Sequence, residues 1–226
     1  MHIVVLTGAG ISAESGLQTF RGMNGLWEGY RIEDVATPAA WAKNPALVQK
    51  FYNIRRKDCI NASPNKAHLA LVELEKFADV TIITQNIDDL HERAGSKNIL
   101  HLHGQIRKSQ STVNPKLVYD IKGDEIRMGE TCALGSQLRP HVVWFGEDVP
   151  NMSKAIDIVH TADHLVVIGT SLQVYPAANL IYEINNTCEI TLIDPNPVKI
   201  KHTHKINIIE GSAVDILPNW VNQLAK

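Results

Sequence analysis

The stretch "HIVVLTGAGISAESG", residues 2–16, decides how the rest of the chain is read. Its apolar run is uninterrupted, as expected of a strand covered on both faces; a half-exposed strand would alternate. Glycines 8, 10 and 16 follow directly. Glycines at a strand-to-helix turn let backbone N–H groups approach a phosphate, and the helix N-terminus adds favourable potential. The third glycine comes too late for GxGxxG, so the turn alone reads either as a nucleotide loop or as a tight turn and nothing more.

Three further runs end in polar or small residues in the same way: "DVTIITQNID" (79–88), "HLVVIGTS" (164–171) and "EITLIDPN" (189–196). Helical stretches between them make the alternation βαβ-like, which predicts an α/β fold on a Rossmann-like, doubly wound parallel sheet. Helix starts are expected at Asn44-Pro45 and Ser63-Pro64, each a capping side chain before a proline, and at Ser212-Ala213-Val214-Asp215. Residues 20–78, mostly helical, and 104–138, polar and irregular, interrupt the alternation. They are expected to form a smaller inserted lobe over the carboxyl edge of the sheet, where open α/β sheets bind ligands. The larger part then comprises about 1–19, 79–103 and 139–226, within one domain spanning 1–226.

A chain of 226 residues supports one main core. Its formal net charge of -2 gives no broad electrostatic footprint for nucleic acid or an anionic membrane, so neither is an expected partner. No apolar run approaches the length of a membrane span, and the first strand begins at once. A soluble, cytoplasmic protein is expected. Cys59, Cys132 and Cys188 are odd in number with no close pair, which predicts buried or idle thiols in a reducing compartment.

Gln85, Asn86 and Asp88 stand at the end of one predicted strand, with His101 and His103 in "HLHG" just beyond. That is where a site belongs in this architecture. With them the ordered set "GAGISAESG", "TFRG", "GLWE", "TQNIDDLHERAG", "LHG", "LRPHVVWFGE" and "GTSLQVYPAA" closely resembles the sirtuins, the NAD-dependent protein-lysine deacylases, over nearly the whole chain.

The resemblance implies NAD as a consumed co-substrate and acylated protein lysines as partners. It implies that Gly8, Ala9, Gly10, Ser12, Ala13, Phe20, Arg21 and Trp27 surround the phosphates and the nicotinamide side. Gln85, Asn86, Ile87 and Asp88 would form the ribose and nicotinamide pocket, with His103 as general base and Asn86 beside it. Gly169, Thr170, Ser171, Asn196 and Ala213 would line the adenosine half. Val143, Phe145 and Gly146, within the stretch 143–147, would pair edge to edge with the substrate peptide. These residue types suit the chemistry. Departure of nicotinamide develops positive charge on a ribose carbon, and the acyl oxygen attacks it only when held close with water excluded. A histidine titrating near neutrality then takes a proton from a ribose hydroxyl, leading to nicotinamide, O-acyl-ADP-ribose and free lysine.

"NPALVQKFYNIRRKDC" (44–59) reads as a helix with Leu47, Val48, Phe51 and Ile54 as its buried stripe. Tyr52 and Arg55 lie roughly 60° apart beside that stripe. An ordinary amphipathic helix would give the same pattern, with a snorkelling Arg and a half-buried Tyr. "FYxxRR" also resembles the bacterial desuccinylase/demalonylase-like (class III) branch, which implies that Tyr52 and Arg55 bind the distal carboxylate of an acidic acyl group.

Sirtuins of the usual kind carry a structural zinc held by two CxxC-like pairs after "LHG". Here Cys132 stands alone between His103 and Leu138, and a structural zinc needs four ligands, so zinc is not expected. "KLVYDIKGDEIR" (116–127) is expected to form a β-hairpin about its Gly-Asp turn instead. Two other functions fit the same pocket: an NAD glycohydrolase or ADP-ribosyltransferase, and a non-catalytic NAD or ADP-ribose sensor.

Overall fold

The computed structural model describes residues 1–19, 26–27, 29–198 and 200–225, with the side chains at 26 and 27 left aside. Six parallel strands form its main sheet: β1 (His2–Thr7), β4 (Asp79–Thr84), β5 (Ile99–His101), β9 (His164–Ile168), β10 (Glu189–Asp194) and β11 (Ile206–Glu210). Their order is β11-β10-β9-β1-β4-β5. The chain runs outward from β1 to one side and then returns to build the other. That switch beside β1 opens a crevice at the carboxyl ends of the strands.

The uninterrupted apolar runs are buried on both faces, as the sequence predicts. Val4, Leu6, Val167 and Leu192 pack on one face with α6 (Met152–His160) and a 3₁₀ helix over Ala177–Tyr182. Ile3, Val5, Val166 and Ile193 pack on the other with α4 (Lys66–Leu74) and α7 (Ala213–Leu224). Ser212 caps α7 as expected, its side chain accepting from the Asp215 N–H. Asn44 caps α3 (Pro45–Asn61) by accepting from the Leu47 N–H at 3.1 Å. The cap expected at Ser63 is instead Asn65, whose side chain accepts from the Ala67 and His68 N–H groups while the Asn65 N–H donates to the His68 ring. The reciprocal bond from the third helical position outweighs the Ser-Pro signal.

A third core lies under the inserted lobe, where α1 (Ile32–Val35), α2 (Pro38–Lys43) and α3 bury Val35, Ala40, Val48 and Phe51 against Ile106 and Val142. Two short strands precede it, β2 (Leu26–Trp27) and β3 (Tyr30–Arg31). The expected stripe of α3 is rotated: Ile54 is 40% exposed, while Tyr52, Arg55, Arg56 and Cys59 are buried. The lobe covers that side of the helix, so polar positions are enclosed that solvent-facing periodicity would place outside.

The hairpin about Gly123 does not form. Strand β7 (Val118–Asp120) pairs antiparallel with β6 (Gly104–Ser111), which pairs on its other edge with β8 (Leu138–Val142). The boundary drawn at residue 139 therefore cuts through a strand of the small sheet. Ile126 is buried nonetheless, because the Asn53 side chain takes up its backbone N–H and C=O, each at 3.0 Å.

Candidate active site

A cavity of about 430 Å³ runs along the carboxyl ends of the main strands and beneath the lobe. That size suits a small-molecule or cofactor site. One wall is the turn after β1. Gly8 and Gly10 are needed there for close approach: a Cβ on Gly8 would lie 2.7 Å from the Thr170 Cβ, and one on Gly10 would lie 2.6 Å from the Gly169 Cα. Their N–H groups donate to the Ile168 and Gly169 carbonyls at 3.0 and 2.8 Å. Those two N–H groups are thus engaged within the protein. The glycines let the turn lie against the 169–171 loop, and Ala9, Ser12 and Ala13 of the following 3₁₀ helix (Ala9–Ser15) complete the wall.

The loop after β4 supplies the floor. The Asn86 side chain donates to the Gly8 carbonyl at 3.2 Å and to the Ser12 hydroxyl at 3.3 Å. Asp88 accepts from the Ser12 hydroxyl and the Leu90 N–H, both at 3.1 Å. Burial pushes the Asp88 carboxyl up, and those two bonds oppose it. Gln85 donates to the Thr170 hydroxyl at 3.2 Å, joining the loops after β4 and β9. His103 lies half-buried at the centre, with Nδ1 3.0 Å from the Gln85 carbonyl. Nδ1 must carry the proton in that contact, which leaves the Nε2 lone pair free to accept one. Burial lowers the pKa of His103, with the Gln85 bond acting the other way, so the neutral form of the ring is favoured. His101 serves the framework instead, its ring nitrogens meeting the Asn86 carbonyl at 3.1 Å and Glu92 at 2.6 Å.

The lobe contributes Tyr52 and Arg55 from α3, only 1% and 6% exposed. Both line the cavity, which removes the snorkelling alternative. Burial pushes the pKa of the Tyr52 phenol up, so it remains a neutral donor. The 143–147 stretch closes this end. The Val143 N–H donates to the His103 carbonyl at 2.9 Å and the Phe145 N–H to the Ala36 carbonyl at 3.0 Å, after which the chain turns at Gly146 with φ +90°. A free strand edge is thus not offered by those two N–H groups, because β8 ends at Val142.

Ile87, Gly169, Ser171, Asn196 and Ala213 also line the cavity, completing the set of predicted site residues within the described part of the chain. Phe20, Arg21 and the Trp27 side chain lie outside it. Sequence reading passed over Asp194 and Ala36, and took Trp144 only as part of the 143–147 stretch. Asp194 ends strand β10 as Gln85 follows β4, and that signal was readable; nothing in the sequence marks Ala36 as facing a cavity.

Among the described residues, no three His, Cys, Asp or Glu side chains gather so as to hold a metal ion. Cys132 meets the Ser111 and Ser136 hydroxyls at 3.3 and 3.1 Å and accepts from the Leu134 N–H at 3.3 Å. The bonds to the two serines, Ser111 first, bring its pKa down to about 7. Cys59, Cys132 and Cys188 are all buried free thiols. Among the described residues no helix is long and apolar enough to cross a membrane.

Residues 8–176 match the family model described as the Sir2 family. The chain is 49% identical over 217 residues to a protein of Bacteroides thetaiotaomicron named NAD-dependent protein deacylase, covering 94% of this chain and 93% of that one. A mutant Sir2 homologue solved with ADP-ribose superposes with a TM-score of 0.90 at 41% identity, covering 99% of this chain and 92% of that one. A Sir2 homologue solved with NAD gives 0.89 at 41% identity, covering 99% and 89%. The βαβ alternation of the sequence, the cavity at the sheet's switch point and these matches agree, and the chain belongs to the Sir2 family.

Proposed function

We propose that this member of the family removes acyl groups from protein lysines with NAD as co-substrate, and that it favours acyl groups ending in a carboxylate. The observation carrying this reading is that His103, the loop 85–88, Tyr52 and Arg55 line one cavity. The residues present fit NAD: the glycine turn lies tight against the 169–171 loop, and polar side chains follow β4, β9 and β10 along the sheet's carboxyl edge. NAD supplies a ribose carbon that becomes an acceptor for the acyl oxygen once nicotinamide leaves.

The chain's own residues would do the rest. Gly8, Ala9, Gly10, Ser12, Ala13 and Gly169 to Ser171 shape the dinucleotide end, with Asn196 and Ala213 on the adenosine side. Asn86 and Asp88, fixed by Ser12, hold the ribose and nicotinamide end. His103 Nε2 takes a proton from a ribose hydroxyl. The 143–147 stretch receives the substrate peptide. Tyr52 and Arg55 address the far end of the acyl chain, where a guanidinium fork and a phenol proton suit a carboxylate.

A mass-spectrometric panel of acetyl-, malonyl- and succinyl-lysine peptides tests this reading. Incubated with NAD, the acidic acyl peptides should yield free lysine and O-acyl-ADP-ribose faster than the acetyl peptide. Free ADP-ribose as the sole product would favour the glycohydrolase reading, and NAD bound without turnover would favour the sensor.

A further inference from the structure

Trp144 is only 2% exposed. The Arg139 guanidinium lies 3.4 Å from its ring centroid, and the Trp41 ring lies 5.7 Å away, tilted by 33°. Arg139 is fixed in turn by two bonds to Glu147 at 2.7 and 2.9 Å, and Glu147 accepts the Trp144 backbone N–H at 2.8 Å. This indole cannot easily turn. Yet its Nε1 is buried with no acceptor in hydrogen-bonding geometry among the described residues. A buried, unanswered N–H is unfavourable unless a functional state supplies its acceptor.

A candidate acceptor is the Tyr52 phenol, since both residues line the same cavity. The indole favours the ionised phenol, as do the charges of Arg139 and Arg55, against the larger opposing effect of burial. A phenol presenting a lone pair to a carboxylate repels it. One whose oxygen is engaged from behind by an N–H has its proton left to offer.

On the reading of Tyr52 and Arg55 as the acyl-carboxylate pair, we propose that Trp144 is a positioning residue. Its indole N–H donates to the Tyr52 oxygen when an acidic acyl group enters, committing the phenol proton to the ligand's carboxylate. Selectivity then depends on three side chains, and Trp144 acts only through Tyr52.

The test is the ratio of kcat/KM on succinyl-lysine to that on acetyl-lysine peptide. Trp144→Phe keeps an aromatic wall but removes the donor, and should lower the ratio roughly three- to tenfold, mainly through KM for the succinyl peptide. In a Tyr52→Phe background the same substitution should lower it no further. An unchanged ratio in Trp144→Phe, or an equal drop with and without the phenol, overturns the proposal. If Tyr52→Phe itself leaves the ratio unchanged, the acyl-carboxylate reading falls and takes this inference with it. Should Trp144→Phe fail to fold, ¹⁵N-indole spectra of the wild-type chain decide. One indole N–H signal should move downfield on adding succinyl-lysine peptide, and should stay in place in Tyr52→Phe. If no indole signal separates the two proteins, the proposal is wrong.

Discussion

One hydrogen bond constrains how His103 could act in its proposed role as general base. Its Nδ1 is committed to the Gln85 carbonyl at 3.0 Å, so any proton it takes during turnover arrives at Nε2. His103→Tyr should therefore leave NAD binding largely intact while deacylation collapses, as calorimetry and product formation on one sample would show. Full turnover in that variant would mean another group is the base. Burial lowers the histidine's pKa, and the sign of the pH dependence follows. The base is neutral above its folded-state pKa and is lost as pH falls through it. The acid limb of kcat/KM should then lie below about 6.5, the ordinary histidine value, and His103→Tyr should abolish it. The position after β5 made this histidine legible in the sequence. Its tautomer was not, because the Gln85 carbonyl reaches it from 18 residues away.

Helix α3 shows what periodicity hides. Its sequence favours a stripe ending in Ile54, but the lobe covers the other side and buries Arg56 completely. That guanidinium donates to the Ile106 carbonyl at 2.8 Å and to the Asn53 side chain, with the Asp124 carbonyl farther off at 3.5 Å. Burial brings its pKa down to about 10, so it stays charged at neutral pH. Arg56 thus ties α3 to both β6 and the loop after β7, across a lobe whose Cys132 is surrounded by hydroxyls. Arg56→Leu should lower the unfolding free energy by about 1–3 kcal/mol through the carbonyls it leaves unanswered. Amide exchange should speed up first in β6 and β7. Uniform loss of protection across the main sheet would show that Arg56 does not act locally. The hairpin expected about Gly123 failed for a related reason. The pairing partner of residues 118–120 is β6, and the intervening Gly-Asp turn looked like the shorter route.

At the scale of the molecule, the parallel sheet was legible because four apolar runs are covered on both faces and so lost their alternation. The polar residues after β4 and β9 were legible for a physical reason too: strand ends at a switch point are where a site can open. What could not be read is how the lobe closes on that edge. Trp144, Ala36 and the turn at Gly146 belong to contacts between distant segments, and no local pattern records them. Under the proposed function, the dinucleotide edge of the sheet and the Tyr52–Arg55 end of α3 serve one reaction. Arg55→Met assayed on succinyl- and acetyl-lysine peptides tests it most directly. A hydrogen bond to a charged group contributes about 1.5–3 kcal/mol, so kcat/KM on the succinyl peptide should fall roughly ten- to a hundredfold, with a much smaller loss on the acetyl peptide. Equal loss on both peptides would contradict the account.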